Sequence, residues 1–262
     1  MCPGVTDVCI HPSHCGARQY SERVRLERSK GLPQPFSPYP AYHAAGGQTP
    51  RPGKILPHES WHPSYLSTGD YNIILVDWGA LIALPWYISA VRNTIHAGTV
   101  LARFVSWLDT RGVQPRTLHV VGFSLGAEAA GLAGKELATR GLRIGRITGL
   151  DPAFPLYNLM GRRGRLSKGD AIFVDVIHTN SGVFGYPTPI GDVDFYPNWG
   201  SPIQPGFREG LFVFSVGCSH RRAWQLYAES VINPTGFPAR RCKGGTCKKT
   251  PVAYMGIAAD PR

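Results

Sequence analysis

Leu118-His119-Val120-Val121-Gly122-Phe123-Ser124-Leu125-Gly126 decides how this chain folds. Its first half is apolar but for His119, the composition of a strand buried on both faces. Its second half opens an alanine-rich stretch, Ser124 to Arg140, that reads as a helix. Between them, Gly122-Phe123-Ser124-Leu125-Gly126 has the pattern GxSxG. In a chain with 31 glycines that pattern alone is weak. A strand leading in and a helix leading out make it a candidate nucleophile elbow. So tight a turn admits only small neighbours, hence the two glycines. It lifts the Ser124 hydroxyl above the sheet, at the positive end of the following helix. The backbone N–H of Leu125 can then help hold a developing oxyanion. The plain alternative is an ordinary glycine-flanked turn.

Outward from the elbow, Tyr71-Asn72-Ile73-Ile74-Leu75-Val76-Asp77-Trp78 is a second short, nearly all-apolar run. It predicts a strand buried on both faces of a parallel sheet. Ile88 to Leu108 repeats apolar residues at helical spacing, through Val91, Ile95, Leu101, Phe104 and Val105, with Arg111-Gly112 as a stop signal. Arg146–Leu150 and Ala171–Ile177 read as further strands, and His220 to Ile232 as a late helix. Strands alternating with helices define an α/β chain with a mostly parallel central sheet flanked by helices. Residues 1–53 carry no periodicity, and Pro33 to Pro52 is rich in proline, glycine and small residues. These residues read as an irregular or disordered lead-in, with the folded domain at 54–262.

The 262 residues suffice for one sizeable core. A formal net charge of +11 suits an acidic partner. The basic residues gather as Arg162, Arg163, Arg165 and Lys168, then Arg240, Arg241 and Lys243, then Lys248 and Lys249. They read either as solvated loop charge or as attraction to anionic lipid headgroups. No zinc-finger spacing or RNP-type aromatic motif is present, which argues against nucleic acid. Of six cysteines, Cys242 and Cys247 bracket a short glycine-containing loop, where a local disulfide is expected. That implies an oxidising compartment, although the N-terminal residues lack the apolar core of a signal peptide. No apolar run is long enough to cross a membrane.

A catalytic serine needs a base, and the base an orienting acid. Asp151, at the end of the strand Arg146–Leu150 and followed by Pro152, is the best acid; Asp175, inside an apolar strand, is its rival. His178, at a strand end, and His220, just before a helix, are the candidate bases, and position alone does not separate them.

The runs VVGFSLGAEAAGLAGK, GLDPAFP, FVDVIHTN, DVDFYPNWG and CSHRRA, in that order, resemble the animal pancreatic-lipase family, with a closer likeness to its insect members and to short-lid phospholipases A1. The resemblance spans Tyr71 to Gly256 and implies an α/β-hydrolase fold. It further implies a secreted enzyme that cleaves carboxylic esters of lipids without a cofactor, touching a membrane or lipoprotein-like interface only peripherally. It assigns Ser124 as nucleophile, Asp151 as acid and His220 as base, and makes His178 a structural landmark.

The departures from the family carry expectations too. Phe123 and Glu128 stand where the family often has histidine. Its acidic calcium loop is replaced by Arg162, Arg163, Arg165 and Lys168, leaving Asp170, so no metal is expected. Phe207 takes the place of a lid cysteine, which leaves Cys218 without its usual partner. The lid between Phe207 and Cys218 is only ten residues, 208–217, and holds the apolar run Leu211 to Phe214. So short a lid suits a phospholipid or small acylglycerol. The N-terminal part is truncated: Lys54 to Trp61 leads almost directly to Tyr71, and Glu59 replaces the glycine of the family's His-Gly pair. The second oxyanion donor belongs near Glu59, and a carboxylate there predicts weak turnover. The competing expectations are a non-catalytic lipid-binding or yolk-type protein on the same fold, which would have lost the nucleophile, and an inactive truncated form.

Overall fold

The computed structural model describes residues 23–28, 62–69, 71–82, 86–205, 212–243, 246–249 and 253–261. Strand β1 (Arg23–Arg28) precedes a short helix α1 (His62–Thr68), strand β2 (Asn72–Asp77) and the long helix α2 (Tyr87–Thr110). Strand β3 (His119–Phe123), helix α3 (Leu125–Thr139), strand β4 (Arg146–Leu150), strand β5 (Phe173–Ile177) and strand β6 (Val193–Phe195) follow. Helix α4 (Phe212–Ile232) and four two-residue strands complete the described chain.

β3, β4, β5 and β6 form one parallel sheet in chain order, the sheet of an α/β-hydrolase. Side chains alternate across it, as a two-residue period requires. Val174 and Val176 join α2 and α3 through Ala102, Val105, Ala127, Ala130, Ala133 and Leu137. Phe173 and Ile177, one residue out of phase, join α4 through Ala223, Trp224 and Tyr227. Burial of both faces is why β3 and β5 are largely apolar.

Register is the feature that builds the site. Phe123 pairs with Leu150, Leu150 with Ile177, and Ile177 with Phe195, so the four strands end in one row. Ser124, Asp151 and His178 are each the next residue after a strand end, along one edge of the sheet.

Several expectations need correction. β2 is not a doubly buried strand of the parallel sheet: it pairs antiparallel with β1, and Val76 is 43% exposed. An apolar run dictates extended backbone without naming its neighbour. β1 lies inside the stretch read as irregular; its alternation Arg23-Val24-Arg25-Leu26 is strand-like, and the rest of residues 1–53 is outside the described residues. α4 begins at Phe212, so His220 lies in its third turn, not ahead of it, and 212–217 of the expected lid are helical. Cys218, whose usual family partner is replaced by Phe207, is nonetheless disulfide-bonded. The Cys242–Cys247 disulfide is present, closing a two-stranded turn. Phe207 lies outside the described residues.

Candidate active site

Ser124 sits between β3 and α3 with φ 54° and ψ −119°, a conformation that side-chain-bearing residues rarely adopt. Such strain persists only where surrounding structure enforces it. Here Ser124 N–H donates to the Leu150 carbonyl at 2.9 Å, and Ala153 N–H donates to the Ser124 carbonyl at 3.3 Å. The elbow is thus clipped to the end of β4 on both sides of Asp151. A Cβ on Gly122 would stand 2.4 Å from the Gly126 carbonyl oxygen, so the approach demands glycine there. Gly126 itself is under no such demand, since a Cβ on it meets nothing within 4 Å among the described residues. Leu125 is the first residue of α3, where backbone N–H groups have no partner within the helix.

Asp151 is fully buried and also has positive φ, 44°. Its Oδ1 accepts the backbone N–H groups of Thr179 at 2.8 Å and Asn180 at 3.0 Å. Its Oδ2 lies 2.6 Å from His220 Nδ1. Three bonds to one carboxylate hold both the acid and the imidazole it meets. Gly185 makes the fit possible: a Cβ there would fall 2.2 Å from Asp151 Oδ1. His220 is partly exposed and its ring packs against Phe123 at 4.5 Å and Phe184 at 5.6 Å between centroids. Phe123 is the residue before Ser124.

The rival residues are otherwise engaged. His178 is fully buried, with Nδ1 2.7 Å from the Tyr186 carbonyl and Nε2 2.8 Å from Asp194 Oδ1. Both ring nitrogens are in use, and the ring stacks on Tyr196. Asp175 accepts from Arg146 Nε at 2.8 Å and from Thr148 Oγ1 at 2.8 Å. Thr148 meets His119, whose pKa burial pushes well below the usual histidine range. This buried network also takes in the carbonyls of Gly256 and Ile257 through Arg146, tying the C-terminal segment to the sheet.

Some supporting residues left no mark in the sequence. The backbone donors of Thr179 and Asn180 are such a case, because any residue has an N–H. Gln204 is another: it is fully buried and its Nε2 donates to the carbonyls of Thr179, Pro197 and Ser201. Its N–H donates to Ser219 Oγ, beside His220, at 2.8 Å. Gln204 thus joins the strand-end loops to α4 at the height of the imidazole. Glu59, the position expected to supply a second oxyanion donor, lies outside the described residues.

The loop with Asp170 does not suit calcium. Asp170 Oδ2 accepts from Lys135 Nζ at 2.5 Å and from Ser167 N–H at 2.8 Å, and the same ammonium donates to the Arg165 carbonyl at 2.9 Å. A tethered cation already satisfies these oxygens, whereas calcium asks for six to eight. Among the described residues no group of three His, Cys, Asp or Glu side chains could hold a metal ion. Glu128, nearby on α3, accepts Leu166 N–H at 2.6 Å through one oxygen. Its other oxygen is buried with no partner, and burial pushes its pKa from 4.5 up to about 8.

A strained serine at a strand–helix turn, a buried aspartate one strand over and a histidine bonded to it define the site class. Residues 59–260 match the Lipase family, and the chain belongs to it. It is similar to lipase member H of Xenopus tropicalis, 38% identical over 181 residues, 68% of this chain and 38% of that one. It is similar also to pancreatic lipase-related protein 2 of Bos taurus, 39% identical over 220 residues, 72% of this chain and 45% of that one. Phospholipase A1 member A of Rattus norvegicus is 37% identical over 179 residues, 68% of this chain and 38% of that one. The chain spans less than half the length of each of these relatives.

Proposed function

We propose that this chain hydrolyses carboxylic ester bonds in lipids, with Ser124, His220 and Asp151 as nucleophile, base and orienting acid. The observation that carries the reading is the 2.6 Å contact between His220 Nδ1 and Asp151 Oδ2 beside the strained serine. With Nδ1–H donating to the carboxylate, Nε2 carries the free lone pair. It takes the Ser124 proton as Oγ attacks the ester carbonyl, and the C=O electrons move to oxygen. The Leu125 N–H stabilises that oxyanion. The imidazolium returns its proton to the departing alcohol, leaving an acyl-serine. Water, deprotonated by the same nitrogen, then releases the fatty acid.

A phospholipid or small acylglycerol is the substrate that fits this reading best, since the whole connection from Phe207 to Cys218 is ten residues and its last part is helix. The names of the three relatives include both a lipase and a phospholipase A1. Two disulfide-bonded segments support secretion. Among the described residues no helix is long and apolar enough to cross a membrane. A fluorophosphonate probe tests the nucleophile. It should label the wild type and not Ser124→Ala, and equal labelling of the two refutes the assignment.

A further inference from the structure

The loop after β4 carries an exposed feature that the ester chemistry does not use. Every residue from Asn158 to Arg163 is exposed. Leu159 is 79% exposed, and with Met160 it forms an apolar tip that leads directly into Arg162 and Arg163. The base of this loop is rigid. Ala153 and Tyr157 pack in one buried cluster with Leu125, the residue after the candidate nucleophile, and with Ala90 and Val91 of α2. Tyr87 Oη donates to the Pro155 carbonyl at 3.0 Å, fastening the loop to the first turn of α2. That turn adds its own exposed apolar groups, Trp86 at 70% and Ile88 at 62%.

The charge beside this tip is one-signed. From Pro152 to Gly169 there is no Asp or Glu, while four cationic side chains fall within it. Lys168 pairs with Asp192, and Arg165 bonds Leu166 and Ser167 locally and lies over the Tyr186 ring. Arg162 reaches only a carbonyl, that of Lys168, and Arg163 has no ion pair or hydrogen bond among the described residues. Arg163, with no carboxylate partner among the described residues, and Arg162, which feels the Asp170 charge without a direct bond to it, therefore border apolar side chains that are exposed. Apolar groups set beside exposed arginines match the boundary between acyl chains and phosphate headgroups.

We propose that the Leu159–Arg163 loop, with Trp86 and Ile88, docks the protein onto anionic phospholipid surfaces, the apolar tip entering the headgroup region and Arg162 and Arg163 holding phosphates. The proposal rests on the reading of the site as one that meets lipid, and it names the surface. Docking at this edge would present the Ser124 edge of the sheet to the bilayer, since the loop leaves the same row of strand ends.

The test is co-sedimentation of the full chain with phosphatidylcholine vesicles, with and without phosphatidylserine. Wild type should partition to the anionic vesicles, and added salt should release it. Arg162→Ala/Arg163→Ala should lose about thirty-fold in partitioning, at about 1 kcal/mol per basic side chain and tenfold per 1.4 kcal/mol. Leu159→Ser should weaken binding about tenfold with less dependence on salt. Both variants should cleave a soluble short-chain ester as the wild type does, which also reports that they fold. Equal binding of wild type and the double variant to anionic vesicles overturns the proposal. So does a double variant that loses retention on heparin but keeps its vesicle binding, which would assign the patch to a polyanionic chain. Charge-dependent vesicle binding without any ester turnover would sustain the docking surface and sink the hydrolase reading.

Discussion

Glu128 gives the sharpest test of the structure, because its carboxyl is fully buried and one of its oxygens has no partner. Burial raises its pKa from 4.5 to about 8, so the fold holds it protonated where the unfolded chain would ionise it. A raised folded pKa favours the fold most at low pH. Stability then falls as pH climbs from the unfolded value through the folded one. Between 4.5 and pH 7 the loss is about 1.4 kcal/mol per pH unit, or about 3 kcal/mol, rising towards 5 kcal/mol at pH 8. Glu128→Gln has the shape of the protonated acid and keeps an acceptor for Leu166 N–H. Urea unfolding of both proteins from pH 4.5 to 8 isolates the carboxyl, since every other titrating group is common to the two. The expected outcome is near-equal stability at pH 4.5 and a variant more stable by about 3 kcal/mol at pH 7. Parallel stability curves across that range would refute the reasoning and mean that Glu128 is ionised or compensated in the fold.

Other perturbations separate the site from its scaffold. His220→Asn should leave the thermal midpoint nearly unchanged and lower kcat by several powers of ten. His178→Asn should instead cost about 2 kcal/mol of stability through its lost bonds to Tyr186 and Asp194, as calorimetry would register. Gly185→Ala should push Asp151 off His220 and cut kcat by about a hundredfold, with the change in KM small. Lys135→Met should destabilise by about 3 kcal/mol in urea, because it leaves Asp170 buried without its cation. A chelator should leave the wild-type midpoint where it is; a lowered midpoint would contradict the role given to Lys135.

Local pattern made the sheet readable. The runs around Val120 and Val174 are largely apolar because both faces are covered, and with Arg146–Leu150 they form β3, β5 and β4. β2 was equally apolar and misled, since composition carries no information on which strand lies alongside. Ser124 and Asp151 are singled out by the sequence because each follows a strand end, and parallel register aligns the two positions. His220 rests on the family resemblance: sequence position gives His178 an equal claim, and in the fold both ring nitrogens of His178 are engaged. The orphaned oxygen of Glu128 and the anchoring by Gln204 were invisible, because a polar side chain on a helix or loop does not announce burial. The close approach at Gly185 was hidden among 31 glycines for the same reason.

His220 projects from the interior of a helix rather than from a loop, and this sets how the gene can change length. Each residue added to a helix turns everything beyond it by about 100° and advances it by about 1.5 Å. One residue gained or lost between His220 and Tyr227 would swing the imidazole out of phase with Asp151, unless α4 itself turned on its packed face. The disulfide at Cys218, two positions ahead of the histidine, would resist such a turn. Variation in length is therefore tolerated more readily ahead of Phe212, where it leaves the phase of His220 against its packed face unchanged.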